Sequence, residues 1–544
     1  MSAAGHQVGP GVDARTAAPA RAASVAAAHP FHPIDSAGSS ILALAPSVYV
    51  LAAGAVCLHL LFAGRYGYFR DELYYAACGQ HLAWGYVDHP PLAPLLVRLS
   101  RTLLGDSLYA LRFLPALASA AKVLLAGWIA RELGGGRFAQ SFAAFCVLVA
   151  PIYLTFDSFF SMNSFEPLFW MASAAVVLRI LNGGSPRLWL LFGAIAGLGI
   201  LNKHSMLFFG SGLALGLLLT PARRQFAQPW IWLGAAIAFV VFLPNLLWEI
   251  RNGWPILAVL HSVLGTKYST VAPWDYVWQQ TLITHPLAAP VWLAGLWFLL
   301  RDELGKKYAV LAIAYITVLV EMLALHGKIY YLAPAYIMLL AAGAVFIEVR
   351  LLPRAGAWLR PALVVPIALG AMIAAPLAMP ILPVEAAVRY CRFWDVQSIH
   401  VENVPLGDLP QLFGDMFGWQ EQVASIASVY SRLSPADQQQ AAILACNYGQ
   451  ASAVDYFGPR YGLPPAISGH NQYGDWGPGA ASGDVVIAIG FSQTTLRKFF
   501  DGVTPVGSVS PRYALPEESG LTLFLCRRPK QRLDRMWPQF KWLG

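Results

Sequence analysis

The residues best suited to chemistry are Asp71 and Glu72, in Tyr66-Gly-Tyr-Phe-Arg-Asp-Glu-Leu-Tyr-Tyr75, and Asp88, in Asp88-His89-Pro90-Pro91-Leu92. These stretches share one loop between apolar runs, where a charge needs a reason, so their acids can converge at a membrane surface as a general base and a positioning group. Pro90-Pro91 blocks regular helix through Asp88 and His89 and holds both at a turn. A cationic set lies further along: His326-Gly-Lys328-Ile-Tyr330-Tyr331, with Lys203-His204 at the end of another apolar run. Lysine is a point charge toward phosphate, protonated His donates and Tyr hydroxyls add neutral donors, so the set can grip a lipid phosphate at headgroup level. Asn163 and Glu166, in the short turn from Asp157 to Pro167, form a third candidate set.

Each set also has a plainer account. Asp71 can pair with Arg70 or cap a helix. Lys and Tyr at span ends reach the headgroups by snorkelling, and Glu166 near a helix N-terminus suits the helix dipole. Asp71, Glu72 and Asp88 could hold a divalent cation, since hard ions take carboxylate oxygens, although nothing in their spacing demands one.

The elements that must position these residues are membrane helices. Of 544 residues, 57% are hydrophobic and 12% charged, and the mean hydropathy is +0.53; an ordinary soluble domain has about 25% charged residues. Apolar runs predict about eleven spans at the ~20 residues needed to cross a bilayer, near 41–63, 112–130, 138–156, 163–178, 188–201, 205–220, 230–248, 286–300, 308–325, 330–348 and 361–383. The net charge of +8 comes from Lys and Arg scattered over short loops, which reads as a topology signal and not as a nucleic-acid stripe. Arg131, Arg179, Arg223, Lys306 and Arg350 mark the internal loops. The 64–111 loop, the 249–285 loop and the tail then lie outside, and every candidate residue above falls on that external side.

Residues 1–40, rich in Ala and Pro without periodicity, predict a disordered extension. Short interfacial helices are expected at Glu72–Ala83 and Leu92–Leu104. The tail, 384–544, predicts a small exported α/β domain: strands at Ala441–Cys446 and Asp484–Gly490, helices near Gln420–Leu433 and Thr494–Phe500. Its loops around Asn447-Tyr448, Arg460-Tyr461 and His470-Asn471 suit a sugar acceptor. Cys391, Cys446 and Cys526 allow one disulfide there, with the pair left open.

Taken together, Arg70-Asp71-Glu72-Leu-Tyr-Tyr, Asp88-His89-Pro90-Pro91-Leu92, Asn163-Ser-Phe-Glu166-Pro167, Asn202-Lys203-His204 and Lys328-Ile-Tyr-Tyr-Leu-Ala-Pro334 resemble glycosyltransferase family 39, the dolichyl-phosphate-mannose protein mannosyltransferase-like group that includes bacterial aminoarabinose transferases of lipid A. The resemblance covers about residues 41–383. It implies a GT-C fold, a polyprenyl-phosphate sugar donor and a first external loop bearing the catalytic acid, here Asp71 with Glu72 as partner. Asp88 stands where the aminoarabinose transferases have Glu, and His89 replaces their Lys, so lipid A as acceptor does not carry over.

The expectation is therefore an inverting membrane glycosyltransferase of the bacterial inner membrane, its site and tail extracytoplasmic, moving a sugar to a glycolipid, polysaccharide or protein. Asp71, Glu72 and Asp88 are the catalytic candidates. Lys203, His326, Lys328, Tyr330, Tyr331 and His89 are candidates for the donor phosphate, and Arg70, Asn163, Glu166 and His204 for substrate. The rival reading is a flippase or transporter for lipid-linked sugar, which predicts charges spread through mid-span; the polar groups cluster at one face instead.

Overall fold

The computed structural model describes residues 44–266, 272–395, 405 and 407–544. The expected N-terminal extension and the first residues of the first span lie outside them.

Each of the eleven predicted runs contains helix among the described residues, the last ending at Ala378. Among the described residues, six helices are long and apolar enough to cross a membrane, or up to eight if two bent pairs each make one span. Pro46–Phe62, Arg137–Leu148 and Leu188–Asn202 are apolar but shorter, so length and composition do not give all eleven. Breaks have local causes. Ala150 is extended before Pro151, which splits the run expected at 138–156, because the residue before proline avoids the helical region. Another break, at Thr284-His285, bends Pro273–Ile283 against Pro286–Arg301 by 97°. The region expected to be a plain 249–285 loop contains the helices Pro255–Thr266 and Pro273–Ile283.

Small residues let the helices approach closely. A Cβ at Gly343 would collide with the carbonyl of Val291, so the helix Tyr336–Phe346 lies backbone to backbone against Ala289–Arg301. At one end of the bundle the basic loops are tied to acids: Arg350 pairs with Asp302 at 2.8 Å, and Glu132 pairs with Arg179 and accepts from Asn182. The opposite end carries the candidate site.

There the 64–111 segment forms the helices Arg70–Gln80 and Leu92–Leu104. The tail adds a five-stranded sheet of β1 (Ala441–Ala445), β2 (Ala466–Ser468), β3 (Val485–Ile489), β4 (Phe500–Val509) and β5 (Leu521–Pro529), in the order β2-β1-β3-β5-β4. β1 runs parallel to β2 and β3, and β5 antiparallel to β3 and β4. Buried β1 and β3 were the strands expected; β2, β4 and β5 were not. Helix after Thr494 is confined to Gln493–Leu496, because Phe500 already pairs with Pro529 in the sheet. All six cysteines are free, so the disulfide expected as an option in the tail is not formed.

Candidate functional site

Helix Arg70–Gln80 starts at a turn locked by Glu72. Its carboxylate accepts from the Phe69 N–H at 2.8 Å and from the Phe160 N–H at 2.8 Å. Arg112, from the long helix Leu108–Glu132, meets both Glu72 oxygens at 2.9 Å and also donates to the carbonyls of Ala63 and Gly67 at 2.8 Å. Glu72 and Arg112 are both fully buried. Sequence reading placed Glu72 among the catalytic acids and metal ligands; in the structure both of its oxygens are engaged in this clamp, which fixes the start of the helix. No group of three or more His, Cys, Asp or Glu able to hold a metal ion occurs among the described residues, and with Glu72 turned to Arg112 the proposed Asp71–Glu72–Asp88 ion site does not fit.

The clamp leaves Asp71 on the neighbouring, partly exposed position. Oδ1 of Asp71 accepts from the Tyr448 hydroxyl at 3.0 Å. Asp88 Oδ1 accepts from the Tyr74 hydroxyl at 2.9 Å, and Oδ2 from the Asn471 amide at 2.9 Å. Tyr75 lies between the sets: burial holds its phenol well above the usual range, and the charges of Asp71 and Asp88, then Tyr330, act on it in the same direction. Arg70, expected as a substrate ligand, pairs with Asp415 and Glu517 of the tail, each at 3.2 Å.

His89, expected to meet the donor phosphate, is buried, with Nδ1 on the Pro90 carbonyl at 3.0 Å, Nε2 3.8 Å from Asp88 Oδ1, and its ring among those of Tyr74, Tyr75 and Tyr86.

Lys203 follows the helix Leu188–Asn202 and donates to Asn163 Oδ1 and Glu166 Oε2, each at 2.8 Å. Its ammonium lies 4.6 Å from the Tyr331 ring and 5.5 Å from that of Tyr330. Burial lowers its pKa; Glu166 raises it and nearby Lys328 lowers it. Lys328 stands 6.0 Å from the Tyr330 ring, and His326 is exposed at the preceding turn with a left-handed backbone, φ 52°. A small cleft, with room for about one water molecule, lies beside Asn163, Glu166 and Tyr330. His204 bonds the buried amide of Asn245 at 3.0 Å, and Asn245 in turn donates to the Trp84 carbonyl at 2.7 Å. Beneath the site Lys122 meets Asp157 at 2.5 Å; burial pushes the Asp157 carboxyl up to about 6, with Lys122 opposing.

The structure thus joins Asp71 and Asp88 through the packed Tyr448 and Tyr74, and Lys203 and Lys328 through Tyr330. Sequence reading missed Arg112, Lys122 and Asn245, polar residues inside apolar helices; that placement was the available signal. Tyr448 and Asn471 lay in loops already singled out, but nothing linked them to the acids.

Comparison with known proteins bears on this arrangement. Residues 88–248 match the dolichyl-phosphate-mannose-protein mannosyltransferase family; Asp71 lies outside that stretch. The lipid A galacturonosyltransferase RgtD of Rhizobium johnstonii is 30% identical over 186 residues, 34% of this chain and 39% of that protein, so the match spans well under half of the relative's length. Crystal structures of ArnT from Cupriavidus metallidurans, bound to undecaprenyl phosphate and in the apo state, superpose with TM-scores of 0.61 and 0.60 at 16% and 14% identity, covering 88% of this chain and 97% of theirs. The chain therefore resembles glycosyltransferase family 39 and carries the GT-C fold of the ArnT structures.

Proposed function

We propose that the chain is an inverting membrane glycosyltransferase that moves a sugar from a polyprenyl-phosphate donor to an extracytoplasmic acceptor. The observation that carries this is that the packed rings of Tyr74 and Tyr448, 4.5 Å apart, hold Asp88 and Asp71 through their hydroxyls, with Lys203 against the Tyr330 and Tyr331 rings. Carboxylates on one side and cations with phenols on the other are what transfer from a lipid phosphate requires. Family resemblance and the ArnT-like fold support the same reading.

The acceptor hydroxyl attacks the anomeric carbon from the face opposite the phosphate. Its proton passes to Asp71, the new carbon–oxygen bond forms, and the bond from carbon to the phosphate oxygen breaks with the electron pair leaving on phosphate. An anionic acceptor needs no deprotonation, and Asp71 then only positions it. Asp88 orients the acceptor. Lys203, Lys328 and the Tyr330 and Tyr331 hydroxyls stabilise charge developing on the departing phosphate. Glu166 and Asn163 hold the Lys203 ammonium in place.

The test is Asp71→Asn in a strain lacking the native gene, with envelope glycolipids and glycoproteins followed by mass spectrometry. Wild type should restore a sugar-bearing species, and the variant should lower its formation by about 10²–10⁴-fold while still binding undecaprenyl phosphate. A variant as productive as wild type ends the proposal.

A further inference from the structure

Neither first-loop carboxylate is held by the membrane domain alone. Asp71 accepts a hydrogen bond from Tyr448, 377 residues away, and Asp88 accepts one from Asn471, 383 residues away. Both partners sit at the ends of sheet strands: Tyr448 follows β1 and Asn471 follows β2.

Each donor is itself fixed. Tyr448 opens the helix Tyr448–Phe457, whose N-cap Asn447 accepts from the Gln450 N–H at 2.9 Å and donates to buried Glu518 at 2.7 Å. The Tyr448 N–H points to His470 Nδ1 at 3.3 Å, and its ring packs 4.5 Å from that of Tyr74. A Cβ at Gly449 would lie 2.9 Å from both Arg70 and Trp419, so this helix start is pressed onto the helix bearing Asp71. Asn471 has φ 46°, a left-handed conformation that asparagine tolerates better than most residues. It is pinned by its N–H to the Trp542 carbonyl at 3.1 Å, and its side-chain oxygen accepts from the Gly544 N–H at 3.1 Å. With that oxygen occupied, the amide nitrogen is the atom turned to Asp88.

From these contacts we infer that the transferase site is composite: the sheet domain supplies Tyr448 and Asn471 as positioning residues that aim the carboxylates of Asp71 and Asp88. This deepens the proposed function and rests on it. A rotatable carboxylate on a partly exposed helix start has many orientations, and transfer needs one; a misplacement of about 1 Å can cost about a hundredfold in rate. These two hydrogen bonds, with that of Tyr74 to Asp88, restrict that freedom.

The experiment uses the full chain in the deletion strain. Tyr448→Phe keeps the ring and loses the hydroxyl; Asn471→Gly keeps the left-handed backbone and loses the amide. Tyr456→Phe is the control, since Tyr456 shares the helix of Tyr448 and contacts the first loop through Tyr68 at 3.3 Å but meets neither acid. Product formation by mass spectrometry and undecaprenyl phosphate binding by the purified proteins are measured side by side. Expected is a fall in product of about tenfold or more for each test variant, unchanged lipid binding, and wild-type behaviour of the control. Product at the wild-type level in both test variants overturns the inference, as does loss of lipid binding or an equal fall in the control, since those mark a structural contact. If wild type itself forms no glycosylated species, the proposed function fails first, and this inference falls with it.

Discussion

The buried amide of Asn245 donates to the backbone carbonyl of Trp84 at 2.7 Å, while its oxygen bonds His204 at 3.0 Å. One membrane helix thereby ties the turn that carries Asp88 to the segment that carries Lys203. A Cβ at Gly85 would meet both Asn245 and Trp248, so the turn is seated directly on this helix. Asn245→Ala should leave the Trp84 carbonyl unpaired, at a cost of about 1–3 kcal/mol. Thermal unfolding in detergent reads the stability loss, and product formation should fall with it; Asn245→Asp should not restore either, because a carboxylate cannot donate.

Removing half of the Glu72–Arg112 clamp strands a buried charge. Arg112→Met is expected to cost about 3–5 kcal/mol, seen as lost yield of folded protein and a lower Tm. Glu72→Gln should be destabilising as well, since it leaves the buried Arg112 guanidinium without its counter-charge and turns an amide NH2 toward N–H donors.

Lys203 can be tested without leaving Glu166 unpaired. The double variant Lys203→Met/Glu166→Gln should weaken undecaprenyl phosphate binding by the worth of a charged hydrogen bond, about 1.5–3 kcal/mol, or roughly ten- to a hundredfold. Titration of the purified protein with undecaprenyl phosphate gives the number, and unaltered affinity removes Lys203 from the phosphate site.

Glu518 makes stability depend on pH. Burial raises its pKa, against the hydrogen bonds of Gln450, Asn447 and Gln422 that favour the ion. A carboxyl raised in the fold stabilises it fully below its ordinary value near 4.5, and that contribution is lost as pH rises through the raised value. Glu518→Gln has no such term, so the Tm of the variant minus that of wild type should grow more positive from pH 4.5 upward. A difference flat with pH contradicts the shift.

Much of the fold was legible because burial in lipid leaves a one-dimensional record. Long apolar runs such as Pro229–Arg251 must be helical, since only a helix satisfies its own backbone in hydrocarbon. Paired acids at 71 and 88 and cations at 203 and 328 stood out against that background. Buried β1 and β3 were visible as apolar runs, whereas β4, mostly exposed and carrying two glycines and a proline, resembles a loop.

Partnership was not legible. Nothing local separates Glu72 from Asp71: the neighbouring acids differ by about a hundred degrees around one helix, which turns one to Arg112 and the other to Tyr448. His89, read as a phosphate ligand, became part of a tyrosine cage for the same reason. The sequence by itself determined which residues are charged, where membrane helices run and which end is polar, because these follow from hydrophobicity and chain continuity. Only the tertiary structure decided which acid is spent on a clamp with Arg112 and which meets Tyr448, because hydrogen-bond partners far apart in the chain meet only when it has folded.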